Sequence, residues 1–525
     1  MPLGLLPLLL LVLLLLVIVR LPWAGDLGIH AATVERLRHS LTDPGNPLVD
    51  ADTPSPYYSP WTLLLGAVAR VSGLSVFIVL RLGALAALGL LVTGVWRYVR
   101  TLSAHRAAPA LALLCLLLLW GTAPFSWSGF VGLHSLALTV AYPSVFALGT
   151  AFHLWAWLAR ALRDGDRAGW GTWAGLGALW AVVLLCHQFT GVVASLGALA
   201  TVLAARPARP VPTARTARPA RTARTARTAR TARPARAVAA GPVAGLARGP
   251  ATGPAVSLAV GLAVLWLWPY YDFFALSGAG DGLAAVHRPL YADLPGRFGL
   301  ALLGVAALVP RLRRDRRDVL VLFFALGLLV SAAGGLSGHY SWGRALPAAL
   351  IPAQLAAALE AVRATRRAVR AGWACLLAGA LAAGAWAQAG TLGYVVDRDL
   401  LPGPVAAKYR QPWAGYHWIT PWVRYGDVVM ARTFPSRQIP AYGAYSVAPG
   451  YPDFFLPDEE RRTAAVGRYF AAGTPAGERR EIVREYGVRW VVDRGPAPRT
   501  APGLRAVARG PGGQVLYAVT DCCTW

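Results

Sequence analysis

Long apolar runs recur along the whole chain. Residues 3–19 contain only Leu, Gly, Pro, Val and Ile, and ten more runs follow at 76–96, 107–124, 133–159, 170–187, 189–205, 251–270, 298–310, 319–335, 345–361 and 372–390. About 20 apolar residues in a helix cross the hydrocarbon core of a bilayer. Most of these runs reach or approach that length, and the short run 298–310 is expected to begin earlier. Charged residues make up only 14% of the 525, against about 25% in soluble domains. A disordered chain, a fibrous chain and an ordinary soluble enzyme are excluded. The sequence predicts an all-α polytopic membrane domain of eleven transmembrane helices over residues 1–390.

The formal net charge of +26 would suit a nucleic-acid binder, but its distribution argues otherwise. Of 51 basic residues only Lys408 is lysine, a bias that reads as genome composition. Ten arginines fall in 206–236, where Thr/Pro-Ala-Arg repeats every three residues. Proline and like-charge repulsion deny such a tract a packed core. Residues 206–250 are therefore expected to form a disordered cytoplasmic loop near lipid headgroups, with no nucleic-acid partner. Cys115, Cys186 and Cys375 lie in apolar runs and read as small buried hydrophobes. Cys522 and Cys523 are adjacent and leave a strained vicinal disulfide or two free thiols as alternatives.

Arginine placement orients the chain. With the N-terminus cytoplasmic, inner segments hold 26 basic residues, outer segments before residue 391 hold eight, and the last 135 residues hold 17. Without the repeat the ratio is still 16 to eight, in keeping with the positive-inside rule. Residues 59–71 are short and contain Arg70, so they read as a helix lying in the interface; as a span they would invert everything after them. Residues 1–19 read as an uncleaved first span, because no basic segment precedes them. An odd number of spans puts 391–525 outside the cell membrane. There, strand-like DVVMA (427–431), VRWVVD (488–493) and QVLYAVT (514–520), with helical ERREIVREYG (478–487) ending at Gly487, predict a small extracytoplasmic α/β domain.

Eight of the 25 acids lie in outer loops, five of them in the first, residues 20–75. Asp26 follows the first span closely, which holds it at the membrane rim. In a helix it shares a face with His30 and Thr33. Two roles fit Asp26: a general base toward a hydroxyl arriving from water, or a helix N-cap. Asp50 and Asp52 flank a Pro-rich turn and read as solvated. His134 follows the aromatic turn FSWSGF, and Tyr142-Pro143 marks either a kink toward a cavity or a packing irregularity. HQFTG (187–191) reads as a tight outer turn, YYDFF (270–274) as an interfacial aromatic belt and HRPLYADLPGR (287–297) as a second polar outer loop. SGHYSWGRALP (337–347) brings His339, Tyr340 and Arg344 to the mouth of a span. A guanidinium there holds a lipid phosphate through paired hydrogen bonds, or anchors the interface.

The motifs GDLGIHAATVERL (25–37), SPYYSPWTLLLGAVARVSGLSVFIVLRLGALA (55–86), GRALPAALIPAQLA (343–356) and the tail from GDVVMA to YGVRWVVD together resemble actinobacterial members of the GT-C superfamily of membrane glycosyltransferases. The resemblance covers the whole architecture. It implies an inverting hexosyl or pentosyl transferase that moves a sugar from a polyprenyl-phosphate donor to a glycan, lipid or protein acceptor of the cell envelope. On that pattern Asp26 is the base and Arg344 a phosphate ligand. His30, Tyr57, Tyr58, His134, His339 and Tyr340 are the remaining candidate substrate-binding residues. Many members carry two adjacent acids or a second loop acid; here Leu27 follows Asp26, which leaves the second acid and a divalent metal open. Two competing readings are a transporter or flippase, and a non-catalytic envelope assembly protein. Neither charged midspan residues nor internal repeats support the first.

Overall fold

The computed structural model describes residues 5–205, 252–276, 278, 284–494 and 503–520. The Arg-rich tract 206–250 and the Cys522–Cys523 pair lie outside the described residues. Each of the eleven apolar runs carries an apolar helix. Among the described residues six helical segments are long and apolar enough to cross a membrane: Val76–Leu102, Pro143–Asp164, Leu294–Arg314, Val319–Ser337, Tyr340–Arg363 and Arg367–Ala387. Five are shorter: Leu5–Arg20, Ala108–Leu118, Trp170–Cys186, Gln188–Ala204 and Thr252–Trp266. Length alone therefore supports six crossings, not the expected eleven.

In chain order the first ten helices among the described residues are α1 (Leu5–Arg20), α2 (Leu27–His39), α3 (Pro60–Ser72), α4 (Val76–Leu102), α5 (Ala108–Leu118), α6 (Leu133–Thr139), α7 (Pro143–Asp164), α8 (Trp170–Cys186), α9 (Gln188–Ala204) and α10 (Thr252–Trp266). The apolar run 133–159 is not one helix. It breaks after Thr139, and Pro143 opens α7 at a first-turn position, where its missing N–H costs nothing. The short run 298–310 does start earlier, within Leu294–Arg314. Cys115 and Cys186 are buried, but Cys375 is exposed; its helix, Arg367–Ala387, buries only Leu377, Leu381, Gly384 and Ala387. Along α1, Leu8, Leu9, Val12, Leu15, Leu16 and Val19 are exposed. Apolar surface left open on this scale marks contact with lipid or protein rather than water.

The Leu346–Arg363 helix is the axis of the bundle, buried from Pro347 to Glu360. Gln354 Nε2 donates to Leu119 O at 2.8 Å, tying it to the end of α5. At one end of this axis Arg311 bridges Asp318 (2.7 Å) and buried Glu360 (3.2 Å). At the other end a 3-10 turn, Tyr340–Ala345, carries Arg344.

Helix α3 begins in a reciprocal capping box. Ser59 Oγ accepts from Thr62 N at 3.2 Å, and Thr62 Oγ1 accepts from Ser59 N at 2.8 Å. Its buried face is Trp61, Thr62, Leu65, Gly66 and Ala69, while Leu64, Val68 and Val71 are exposed. A helix apolar on both faces, one packed on protein and one open, suits the interfacial placement expected for 59–71.

The C-terminal region forms a five-stranded sheet of order β2-β1-β3-β5-β4: β1 Val428–Ala431, β2 Tyr445–Ser446, β3 Val488–Arg494, β4 Leu504–Arg509 and β5 Gln514–Val519. β1 pairs in parallel with β2 and β3, and β5 runs antiparallel to β3 and β4. Helices Glu459–Phe470 and Ala476–Glu485 pack Ala465, Val466, Tyr469, Ile482 and Val483 onto Met430, Val488, Val491 and Tyr517. Tyr416, Ile419 and Val423 join Val429, Val492 and Leu516 in a second cluster. Buried Arg36 of α2 reaches into this region. It donates to the carbonyls of Gly443 (2.9 Å) and Ala444 (2.6 Å) and lies over the Tyr445 ring at 3.6 Å. Helix α2 thus couples the first loop to the C-terminal domain, and the chemistry-bearing residues gather at that junction.

Candidate active site

Asp26 occupies the N-cap position of α2, yet its side chain makes no capping hydrogen bond. The carboxylate is therefore left for another partner. The preceding backbone is pinned from two sides. Tyr142 donates its hydroxyl to Ala24 O, and Tyr451 donates to Gly25 O at 2.8 Å. Gly25 has φ +49°, in the left-handed region, which glycine adopts without the Cβ penalty. One turn on, Gly28 lets the C-terminal domain come close: a Cβ there would lie 1.7 Å from Arg437 O. The Arg437 guanidinium is held by Gly450 O (2.8 Å) and lies 5.2 Å from the Tyr451 ring centre.

Burial pushes the Asp26 carboxyl above its ordinary value, while the positive charges of Arg344 and Arg437 pull it back in part. A carboxylate whose pKa moves up toward neutrality is the stronger proton acceptor. His30 is buried, with its ring edge-on to Tyr142 at 4.8 Å and 6.3 Å from Tyr57. Desolvation drives its pKa down to about 3, so the imidazole is neutral, and its Nδ1 has no hydrogen-bond partner. Tyr57 is buried within the fields of Asp26, Asp453 and Glu459, whose charges add to burial in raising its pKa. Thr33 is turned to its own helix, its hydroxyl donating to Ile29 O at 2.8 Å.

Arg344 is buried beside this group. Its guanidinium lies 4.5 Å from the Phe189 ring centre and 5.8 Å from that of Trp127. Nη2 is 3.3 Å from His187 Nε2. The arrangement is a carboxylate and a guanidinium within each other's field, lined by neutral rings.

Of the candidates from sequence, the structure gathers Asp26, His30, Tyr57 and Arg344 and places the others elsewhere. Tyr58 is buried in the first loop, its hydroxyl donating to Gly45 O at 2.7 Å. His134 lies against Thr391 (3.4 Å) and stacks on Tyr394 at 6.0 Å. His339 is exposed and stacks on Trp342 at 5.6 Å. Tyr340 meets Tyr291, ring centres 5.7 Å apart. Sequence reading took His187 only as part of a tight outer turn and passed over Arg437 and Tyr451. His187 had one signal, a polar HQ interrupting two apolar runs. The other two come from a tail more than 400 residues away from Asp26, and nothing local marks them. The charges nearest Asp26 are guanidinium groups, and among the described residues no three His, Cys, Asp or Glu side chains form a ligand group.

No family model matches the sequence, and no curated protein matches it. Solved structures do. The arabinofuranosyltransferase AftD from mycobacteria superposes with a TM-score of 0.53 at 16% identity, covering 98% of this chain and 40% of AftD. The chain has the GT-C fold. ArnT from Cupriavidus metallidurans, solved bound to undecaprenyl phosphate, gives a TM-score of 0.49 at 14% identity over 99% of both chains. An oligosaccharyltransferase from Archaeoglobus fulgidus gives 0.48 at 11% identity, covering 98% of this chain and 74% of that one. At 16% identity the likeness to AftD is one of fold, and the chain spans 40% of the length of AftD.

Proposed function

We propose that this protein is a polytopic membrane glycosyltransferase that moves a sugar, with inversion, from a polyprenyl-phosphate donor to a hydroxyl of a cell-envelope acceptor on the outer face. The observation that carries the reading is Asp26: an N-cap carboxylate that does not cap, raised in pKa by burial and set within the field of buried Arg344. In the proposed reaction the Asp26 carboxylate takes the proton of the acceptor hydroxyl as that oxygen attacks the anomeric carbon. The bond from that carbon to the phosphate oxygen breaks on the opposite side. Its electron pair leaves with the lipid phosphate, whose charge Arg344 stabilises through paired hydrogen bonds. One displacement inverts the anomeric centre. Neutral His30 and Tyr57 line the acceptor side without competing for the proton. Arg437 and Tyr451 bring the C-terminal domain to the same space, where it contacts the acceptor.

The test is transfer of radiolabel from a panel of polyprenyl-phosphate pentoses and hexoses to endogenous acceptors, in membranes that express the protein and in matched membranes that lack it. Expression-dependent transfer from at least one lipid-linked donor supports the proposal. Absence of transfer from every donor, at confirmed protein level, contradicts it.

A further inference from the structure

His187 sits where α8 meets α9 and serves two neighbours. As N-cap of α9 its Nδ1 accepts the backbone N–H of Thr190 at 3.1 Å, with Thr190 Oγ1 2.8 Å from the same nitrogen. A ring nitrogen that accepts a backbone N–H carries no proton of its own, so in the neutral imidazole the proton is on Nε2. Nε2 lies 3.3 Å from Ser128 Oγ and 3.3 Å from Arg344 Nη2. Ser128 donates its own proton to Ser144 Oγ at 2.9 Å, which leaves its oxygen an acceptor for Nε2–H. A guanidinium has only donors. Capping of α9 therefore sets the Nε2–H donor, which Ser128 Oγ accepts in this structure, beside a second donor, Arg344 Nη2–H. Phe189 and Trp127 flank the guanidinium and keep it there.

We infer that His187 is a second phosphate ligand, its Nε2–H and the Arg344 guanidinium donating together to the oxygens of a phosphate monoester. An anionic oxygen beside both nitrogens turns a donor-to-donor contact into two charge-assisted hydrogen bonds. The helix cap becomes part of the recognition, because it fixes which imidazole nitrogen carries the proton. This inference rests on the donor reading above.

The test uses the full chain in detergent and two probes, farnesyl monophosphate and inorganic phosphate, with affinity read by calorimetry and folding by the melting temperature without ligand. Asparagine is a good N-cap but is too short to reach Arg344. His187→Asn is expected to melt close to wild type and to bind farnesyl phosphate about tenfold more weakly, the loss of one charged hydrogen bond. His187→Gln places an N–H near the Nε2 position and gives up the cap. It is expected to melt lower and keep most of the affinity. Wild-type affinity in His187→Asn, with Arg344→Ala impaired, overturns the inference and leaves the donor reading standing. No binding of farnesyl phosphate to wild type overturns both. Binding of inorganic phosphate as tight as that of farnesyl phosphate, and equally dependent on His187, supports the ligand pair and removes the lipid as its source.

Discussion

At the scale of single residues, function and stability pull Asp26 in opposite directions. Its pKa is raised above the ordinary 3.8 because ionising it under cover costs more than Arg344 and Arg437 return. The sign follows by linkage: a carboxyl raised in the folded state is neutral at low pH and costs the fold nothing there, and the cost grows as pH rises through its ordinary value toward the raised one. Asp26→Asn removes that cost. Its melting temperature should exceed that of wild type at pH 7, and the gap should close on acidification toward the ordinary carboxylate range. A variant less stable than wild type at pH 7 would mean that the carboxylate has a structural partner. Arg344 makes the complementary case. Arg344→Ala should lower kcat/KM for the lipid donor by roughly 10–100-fold, the worth of one charged hydrogen bond at about 1.5–3 kcal/mol. Arg344→Lys should recover only part of this, since an ammonium cannot present two parallel N–H groups. Donor kinetics unchanged in Arg344→Ala would make it an interfacial anchor.

At the scale of elements, α3 allows a direct check of where the membrane surface lies. Val71 is exposed and Ala69 on the same helix is fully buried. A spin label at Val71 should be relaxed by oxygen dissolved in lipid and protected from a water-soluble nickel chelate. A label accessible to nickel and not to oxygen would lift α3 into water. Elements were also where the sequence was most readable. Apolar length marked the eleven apolar helices, and the valines and tryptophan of VRWVVD marked β3. What escaped has physical causes. Tyr445–Ser446 is too short for a strand to show a period, and in LRAVAR arginines interrupt the pattern of β4. Helix Glu459–Phe470 has a narrow apolar face of Ala465, Val466 and Tyr469 among five charged residues. The break before Pro143 was visible as a proline, but only packing shows that Tyr142 uses it to reach Ala24 O. In the site, Asp26 and Arg344 were legible as charges at the mouths of apolar runs. His187 was hidden in a turn, and Arg437 and Tyr451 reach Asp26 only through the long-range docking of α2.

At the scale of the whole molecule, the sequence rule and the fold make a joint statement about sidedness. The arginine-rich ends of the bundle helices, around Arg311 and Glu360, lie opposite the end where α2, Arg344 and the C-terminal domain meet. With Cys375, Cys522 and Cys523 replaced, a cysteine at exposed Ala471 should react on whole cells with a membrane-impermeant thiol reagent, and one at Arg316 should react only after lysis. The reverse pattern would put the site on the cytoplasmic face, away from the proposed acceptors. All of this converges on one carboxylate. The decisive measurement is sugar transfer from the lipid-linked donor by Asp26→Asn in membranes at matched protein level. Asparagine is nearly isosteric and folds as well, but it accepts no proton. The account predicts a rate lower by a factor on the order of 100 or more. Transfer within a few-fold of wild type would contradict it, and Asp26 would not be the base.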